Sequence, residues 1–239
     1  MGRTQRILYT FNRLIEEGRM HPVPVYVDSP LSLKATQVYA KHRECYDEEA
    51  ADILRQGIDP MRFPGLKFSE TPDQSKALNT LAGPAIIISA SGMCESGRIL
   101  HHLANHITNP ANAVLFVSFQ AEDTLGRRSQ QGISPVRIFD EMYEGRARIY
   151  SVEGYSSHAD RLELTSWATR VRDAGNLRQV ALVHGEEPAL QSLSASLASG
   201  RGSAMLLGFF RWLLAGFCGG GRTIWPSRCI LRNATLQLI

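Results

Sequence analysis

Two near-continuous apolar runs, PAIIISAS at 84–91 and AVLFVSF at 113–119, constrain this chain more than any other feature. A strand with one wet face alternates apolar and polar residues, whereas a parallel strand covered on both faces does not. Between the runs, 99–107 has helical spacing, and the alternation extends in both directions. PVPVYVDSP (22–30) reads as a buried strand ending in a turn and LSLKATQVYAKH (31–42) as a helix. EEAADILRQG (48–57) follows as a helix, LKFSE (66–70) as a short strand and SKALNTLA (75–82) as a helix. Ile7, Leu8, Phe11, Leu14 and Ile15 share one face of a first helix that Gly18 stops. Strands alternating with helices predict an α/β fold on a mainly parallel sheet.

Beyond TLGRRSQQG (124–132), PVRIF (135–139) and ARIYSVEGY (147–155) read as strands, then come a helix at 160–173, the strand RQVALVH (178–184) and a helix at 187–198. The stretch from 147 to 184 predicts a βαβ unit whose two strands are parallel neighbours. SSHAD (156–160) and HGE (184–186) would then lie at strand carboxyl ends on one sheet edge, where open α/β sheets build their sites. His158 and His184 are separated by 26 residues and one helix, a spacing that lets both face a common cleft. Each histidine taken alone reads more readily as a satisfied loop residue, and it is the pair at matching strand ends that favours a shared site. Ser157 and Asp160 fit a capping box that would hold His158 just inside a first helical turn, and a helix start attracts phosphate.

Two segments offer anion contacts. SASGMCESGR (89–98) joins a buried strand to a helix and presents Ser91, Gly92, backbone N–H groups and Arg98; a glycine-rich turn with a solvated arginine is the plainer alternative. TLGRRSQQG supplies Arg127 and Arg128, able to hold a phosphodiester backbone through bidentate contacts or simply to stand in solvent. Cys94 reads as a small buried side chain rather than a nucleophile. No GxxxxGK[ST], GxSxG or GxGxxG pattern and no HxHxDH cluster occurs, which excludes a P-loop, a nucleophile elbow, a dinucleotide fingerprint and a self-contained zinc site of that type.

The net charge of +3 hides an asymmetry. Residues 201–239 contain five Arg and no Lys, Asp or Glu, so residues 1–200 carry 21 basic against 23 acidic residues. Nucleic-acid binding must therefore rest on local basic groups rather than on global charge. Cys45, Cys94, Cys218 and Cys229 are far apart with no CxxC pair, which predicts reduced thiols and a cytoplasmic protein. The first helix is interrupted by charge, unlike a signal peptide.

VYVDSPLSLKAT, PAIIISASGMCESGR, VLFVSFQAEDTLGRR, GYSSHAD and LVHGEE occur in the order and spacing of β-CASP nucleases of the metallo-β-lactamase fold, and residues 1 to about 198 resemble that family. The resemblance implies a β-CASP domain at 1–148 and the C-terminal segment of a metallo-β-lactamase αββα domain at 149–198. It implies RNA as substrate, held between the two domains and hydrolysed with two zinc ions. By the same resemblance His158 matches a histidine beside the scissile phosphate, acting as proton donor or phosphate contact, and His184 matches a zinc ligand. Ser156, Ser157, Ser91, Gly92, Arg98 and Arg127 are expected to contact RNA. Because the HxHxDH half is missing, the resemblance points to an N-terminally truncated nuclease, inactive alone. It would work as a homodimer or with the lactamase half supplied separately. The alternative is a non-catalytic RNA-binding or protein-interaction module of a cleavage complex.

From about Arg201 the sequence departs from that pattern, and two of the three Trp fall there. Residues 199–239 are expected to be an atypical tail, frameshifted or disordered, that does not pack on the α/β core. AMLLGFFRWLLAGFC spans only 15 residues with Arg211 at its centre, against roughly 20 apolar residues for a membrane span, so no membrane association is expected.

Overall fold

The computed structural model describes residues 2–152, 154–155, 158–175, 179–183, 185–198 and 204–207. They fall into two compact units, Met1–Ser157 and His158–Ile239. The first opens with α1 (Arg3–Glu16), which ends where Gly18 takes a φ of 66° that a glycine adopts without strain. Its apolar face buries Leu8 completely against β1 (Val25–Asp28), with Val25, Val27 and Phe63 closing the cluster. A fully buried side chain of this size contributes about 1.5–3 kcal/mol.

α2 (Pro30–Lys41) starts at Ser29, whose hydroxyl accepts from Ser32 N, with Pro30 in the first turn. After α3 (Glu48–Arg55) and β2 (Leu66–Phe68), α4 (Pro72–Ala77) begins in a capping box formed by Thr71 and Gln74. β3 (Ile86–Ser89) completes a parallel sheet in the order β2-β1-β3, with Val25 opposite both Leu66 and Ile86.

α5 (Arg98–His106), β4 (Ala113–Phe116) and α6 (Leu125–Gln130) follow, then a hairpin of β5 (Val136–Ile138) and β6 (Glu141–Tyr143), and β7 (Arg148–Ser151). β4 and β7 pair in parallel, Leu115 opposite Tyr150. Leu103, Ile107, Phe116, Val136 and Ile138 make a second core beneath them. The second unit contains α7 (Arg161–Ala174), β8 (Gln179–Leu182), α8 (Glu187–Ala198) and β9 (Ala204–Leu207), with Leu182, Leu190 and Leu193 buried together.

The α/β class and the mainly parallel pairing agree with the sequence reading, and four local expectations are revised. The sequence reading made β7 and β8 neighbours in a βαβ unit; the pairings found within each unit are β7 with β4 and β8 with β9. A strand's apolarity does not say which strand hydrogen-bonds to it, nor does it ensure cover on both faces, since β4 and β7 keep Leu115 and Tyr150 exposed. The capping box sits one helical turn later than expected: Asp160 caps α7 with Glu163, so His158 precedes the helix rather than lying in its first turn. The expected tail is revised at Ala204–Leu207, which pairs in parallel with β8. Finally α6 forms in TLGRRSQQG, where the sequence reading placed no helix, Thr124 capping it through Arg127 N. Among the described residues no helix is long and apolar enough to cross a membrane.

Candidate nucleic-acid interface

The loops after β3 and β4 are stitched together. Gln120, almost fully buried, donates its amide to Gly92 O at 2.8 Å. Gly126 N donates to Met93 O at 3.1 Å, and Leu125 N donates to Glu95 Oε1 at 2.6 Å. A Cβ at Gly126 would stand 2.8 Å from Gln120 Cδ and 3.1 Å from Met93 O, so a larger residue there would make the Gln120 side chain or the Met93 carbonyl shift. Within the first loop Ser91 Oγ accepts from Glu95 N at 3.3 Å, and Gly92 is exposed. Two of the residues expected to touch RNA thus sit on a loop locked to the start of α6, the helix that carries Arg127.

Arg127 is half-buried, and its Nε is buried without a hydrogen-bond partner. No ion pair or hydrogen bond of its guanidinium is found among the described residues. Burying part of a guanidinium without a counter-charge is costly, so such a group is poised to take an anion.

Arg98 is engaged differently from the expectation. Its Nη1 donates to Asp28 Oδ1 at 2.8 Å and to Ser69 O at 3.1 Å, and its Nη2 donates to Glu70 O at 2.9 Å. Asp28 is buried at the end of β1 and also accepts from Ser75 Oγ at 2.6 Å and His102 Nε2 at 2.8 Å. His102 Nδ1 is hydrogen-bonded with Asn79 Oδ1 at 2.7 Å. Burial alone would raise the Asp28 carboxyl, but hydrogen bonds from Ser75, His102 and Arg98, with the guanidinium charge, hold it below its ordinary 3.8. This network ties β1, α4 and α5 together and fixes the start of α5. Gly97, at φ 82°, completes that start, since a Cβ would stand 2.8 Å from Ala90 O.

Sequence reasoning missed this network. An acid at the end of the short apolar strand VYVD was the available signal, because a carboxylate buried there must find donors. Gln120 carried no signal. Burial, with Glu95 nearby, pushes the Cys94 thiol up to about 11, in keeping with a packing role.

His158 is exposed in a bend before α7. His184, Ser156 and Ser157 lie outside the described residues. Among the described residues no group of three or more His, Cys, Asp or Glu stands close enough to hold a metal ion, so these residues do not by themselves form a zinc site.

Two joined loops at strand carboxyl ends, with a half-buried arginine for which no counter-charge is found among the described residues, make a candidate anion-contacting face on an α/β scaffold. The chain belongs to the β-CASP family: the family model for the Beta-Casp domain matches residues 4–128. A second model, the Zn-dependent metallo-hydrolase RNA specificity domain, matches residues 142–206. The chain is 38% identical over 197 residues to Ribonuclease TTHA0252 of Thermus thermophilus, covering 82% of this chain and 44% of that protein. It is 31% identical over 205 residues to Transcription termination factor FttA of Thermococcus kodakarensis, covering 82% of this chain and 31% of that protein. Against the RNase J-like protein of Methanocaldococcus jannaschii it is 28% identical over 197 residues, 82% of this chain and 43% of that protein. The chain spans less than half the length of these relatives.

Proposed function

We propose that this chain is the RNA-holding part of a zinc-dependent ribonuclease, and that its two stitched loops grip the phosphodiester backbone. Ribonuclease and RNase J-like names among the relatives, and the RNA specificity model, support RNA as the ligand. The observation that carries the reading is Arg127, a half-buried guanidinium without a partner among the described residues, on a helix whose start is hydrogen-bonded to the loop of half-buried Ser91 and exposed Gly92. Arg127 contacts a phosphate, Ser91 and Gly92 let the backbone come close, and Arg98 positions the loop through Asp28 rather than touching RNA. Ser156 and Ser157 complete the contact set. In the whole protein His184 would be one ligand of a zinc centre that would supply the hydroxide for hydrolysis, and His158 would serve as proton donor or phosphate contact.

The test is binding of a labelled single-stranded RNA to the chain across a salt series, for the unaltered protein and Arg127→Ala. Losing one charge-assisted contact worth about 1.5 kcal/mol weakens binding roughly tenfold. The log–log salt slope should become shallower by about 0.7, the single-strand value per phosphate. Unchanged affinity and slope would remove Arg127 from the interface. Absence of RNA binding in the unaltered chain, with specific capture of a protein from the same cleavage machinery, would favour the protein-interaction alternative.

A further inference from the structure

Arg3, at the start of α1, takes no part in the proposed function above, yet it stands at the same loop. Its Nε donates to Tyr155 O at 3.3 Å, and no other hydrogen bond or ion pair of its guanidinium is found among the described residues. A Cβ built on Gly92 would lie 3.1 Å from Ser118 Oγ and 3.9 Å from Arg3 Nη1. The space above the Gly92 Cα is therefore bordered by a hydroxyl on one side and a guanidinium on the other. We propose that Arg3, Gly92 and Ser118 form a second phosphate subsite, which takes a phosphodiester of single-stranded RNA. The proposal rests on the RNA reading above.

Three features fit the chemistry. The Nη1 and Nη2 edge of Arg3 is the fork that matches two non-bridging phosphate oxygens. Gly92 carries no side chain where the phosphate must approach, and its φ lies outside the left-handed region, so flexibility does not account for the glycine. Ser118 Oγ donates to Gly92 O at 3.1 Å, but that carbonyl also accepts from Gln120 Nε2 at 2.8 Å. The hydroxyl can therefore turn to a phosphate oxygen without leaving the buried side of the loop unsatisfied. The first turn of α1 adds no acidic residue to oppose an anion, and no side chain caps it.

The experiment uses the full chain and the same RNA and salt series, with Arg3→Ala, Arg3→Lys, Gly92→Ala and Arg127→Ala, and thermal melts of each. Arg3→Ala should weaken binding about tenfold and lower the salt slope by about 0.7. Arg3→Lys should restore the slope and only part of the affinity, because lysine keeps the charge and loses the fork. Gly92→Ala should weaken binding by occupying the space without removing charge, and losses in Arg3→Ala/Arg127→Ala should multiply. If Arg3→Ala lowers only the melting temperature, with affinity and slope unchanged, the residue merely anchors Tyr155 and the subsite is refuted. If Arg127→Ala weakens binding while Arg3→Ala and Gly92→Ala do not, this subsite falls and the RNA reading stands. If the unaltered chain binds no RNA, both fall.

Discussion

At Asp28 a single buried carboxylate receives donors from Ser75, Arg98 and His102, so three elements depend on its charge. Its carboxyl is held below the ordinary 3.8, and a depressed folded value means that its stabilising contribution is present above the unfolded value and is lost as pH falls through the folded one. Asp28→Asn should remove that acid-side dependence. Because it leaves Arg98 without its counter-charge, it should also cost about 3–5 kcal/mol at neutral pH, the usual scale for breaking a buried pair. Chemical denaturation of both proteins from pH 7 down to pH 3 checks this. A variant with unchanged stability at pH 7 would show that the network does not hold the fold. Arg98 and Arg127 share a residue type and differ in surroundings: one faces a buried carboxylate, and among the described residues no carboxylate pairs with the other.

Among elements, β9 changes the meaning of the C-terminal region. Composition marks residues from 199 as foreign to the pattern, yet Ala204–Leu207 supplies the described partner of β8 through a parallel ladder running from Gln179–Ala204 to Leu182–Leu207. Ending the chain after Ser203 should leave the β8 edge unpaired, whereas ending it after Leu207 should not. Hydrogen exchange at Gln179–Leu182 measures this, with protection lost in the shorter protein and kept in the longer one. Equal protection in both would mean that β9 contributes nothing to the second unit.

For the whole molecule, the proposal assigns zinc chemistry to a protein of which this chain matches less than half of each compared relative. With one ligand expected at His184, the purified chain should bind well under one zinc ion and should not cleave RNA, since a catalytic zinc wants about three protein ligands. Metal analysis beside a cleavage assay decides it. Two tightly held zinc ions per chain, with nuclease activity abolished by His184→Ala, would overturn the expectation.

The α/β class and the positions of most helices and strands were legible in the linear chain, because apolar periodicity, caps and glycines act within a few residues of themselves. The short helix at Leu125–Gln130 escaped that reading, since six residues carry too little periodicity to see. Which strand pairs with which was decided only in three dimensions: the apolar content of Arg148–Ser151 and Gln179–Leu182 suits either partner, and long-range packing chooses. The division of labour among the arginines was likewise invisible. Charge is a property of the residue, but whether it is spent inside the protein depends on what folding brings beside it: Asp28 beside Arg98, 70 positions away, and, among the described residues, no counter-charge beside Arg3 or Arg127.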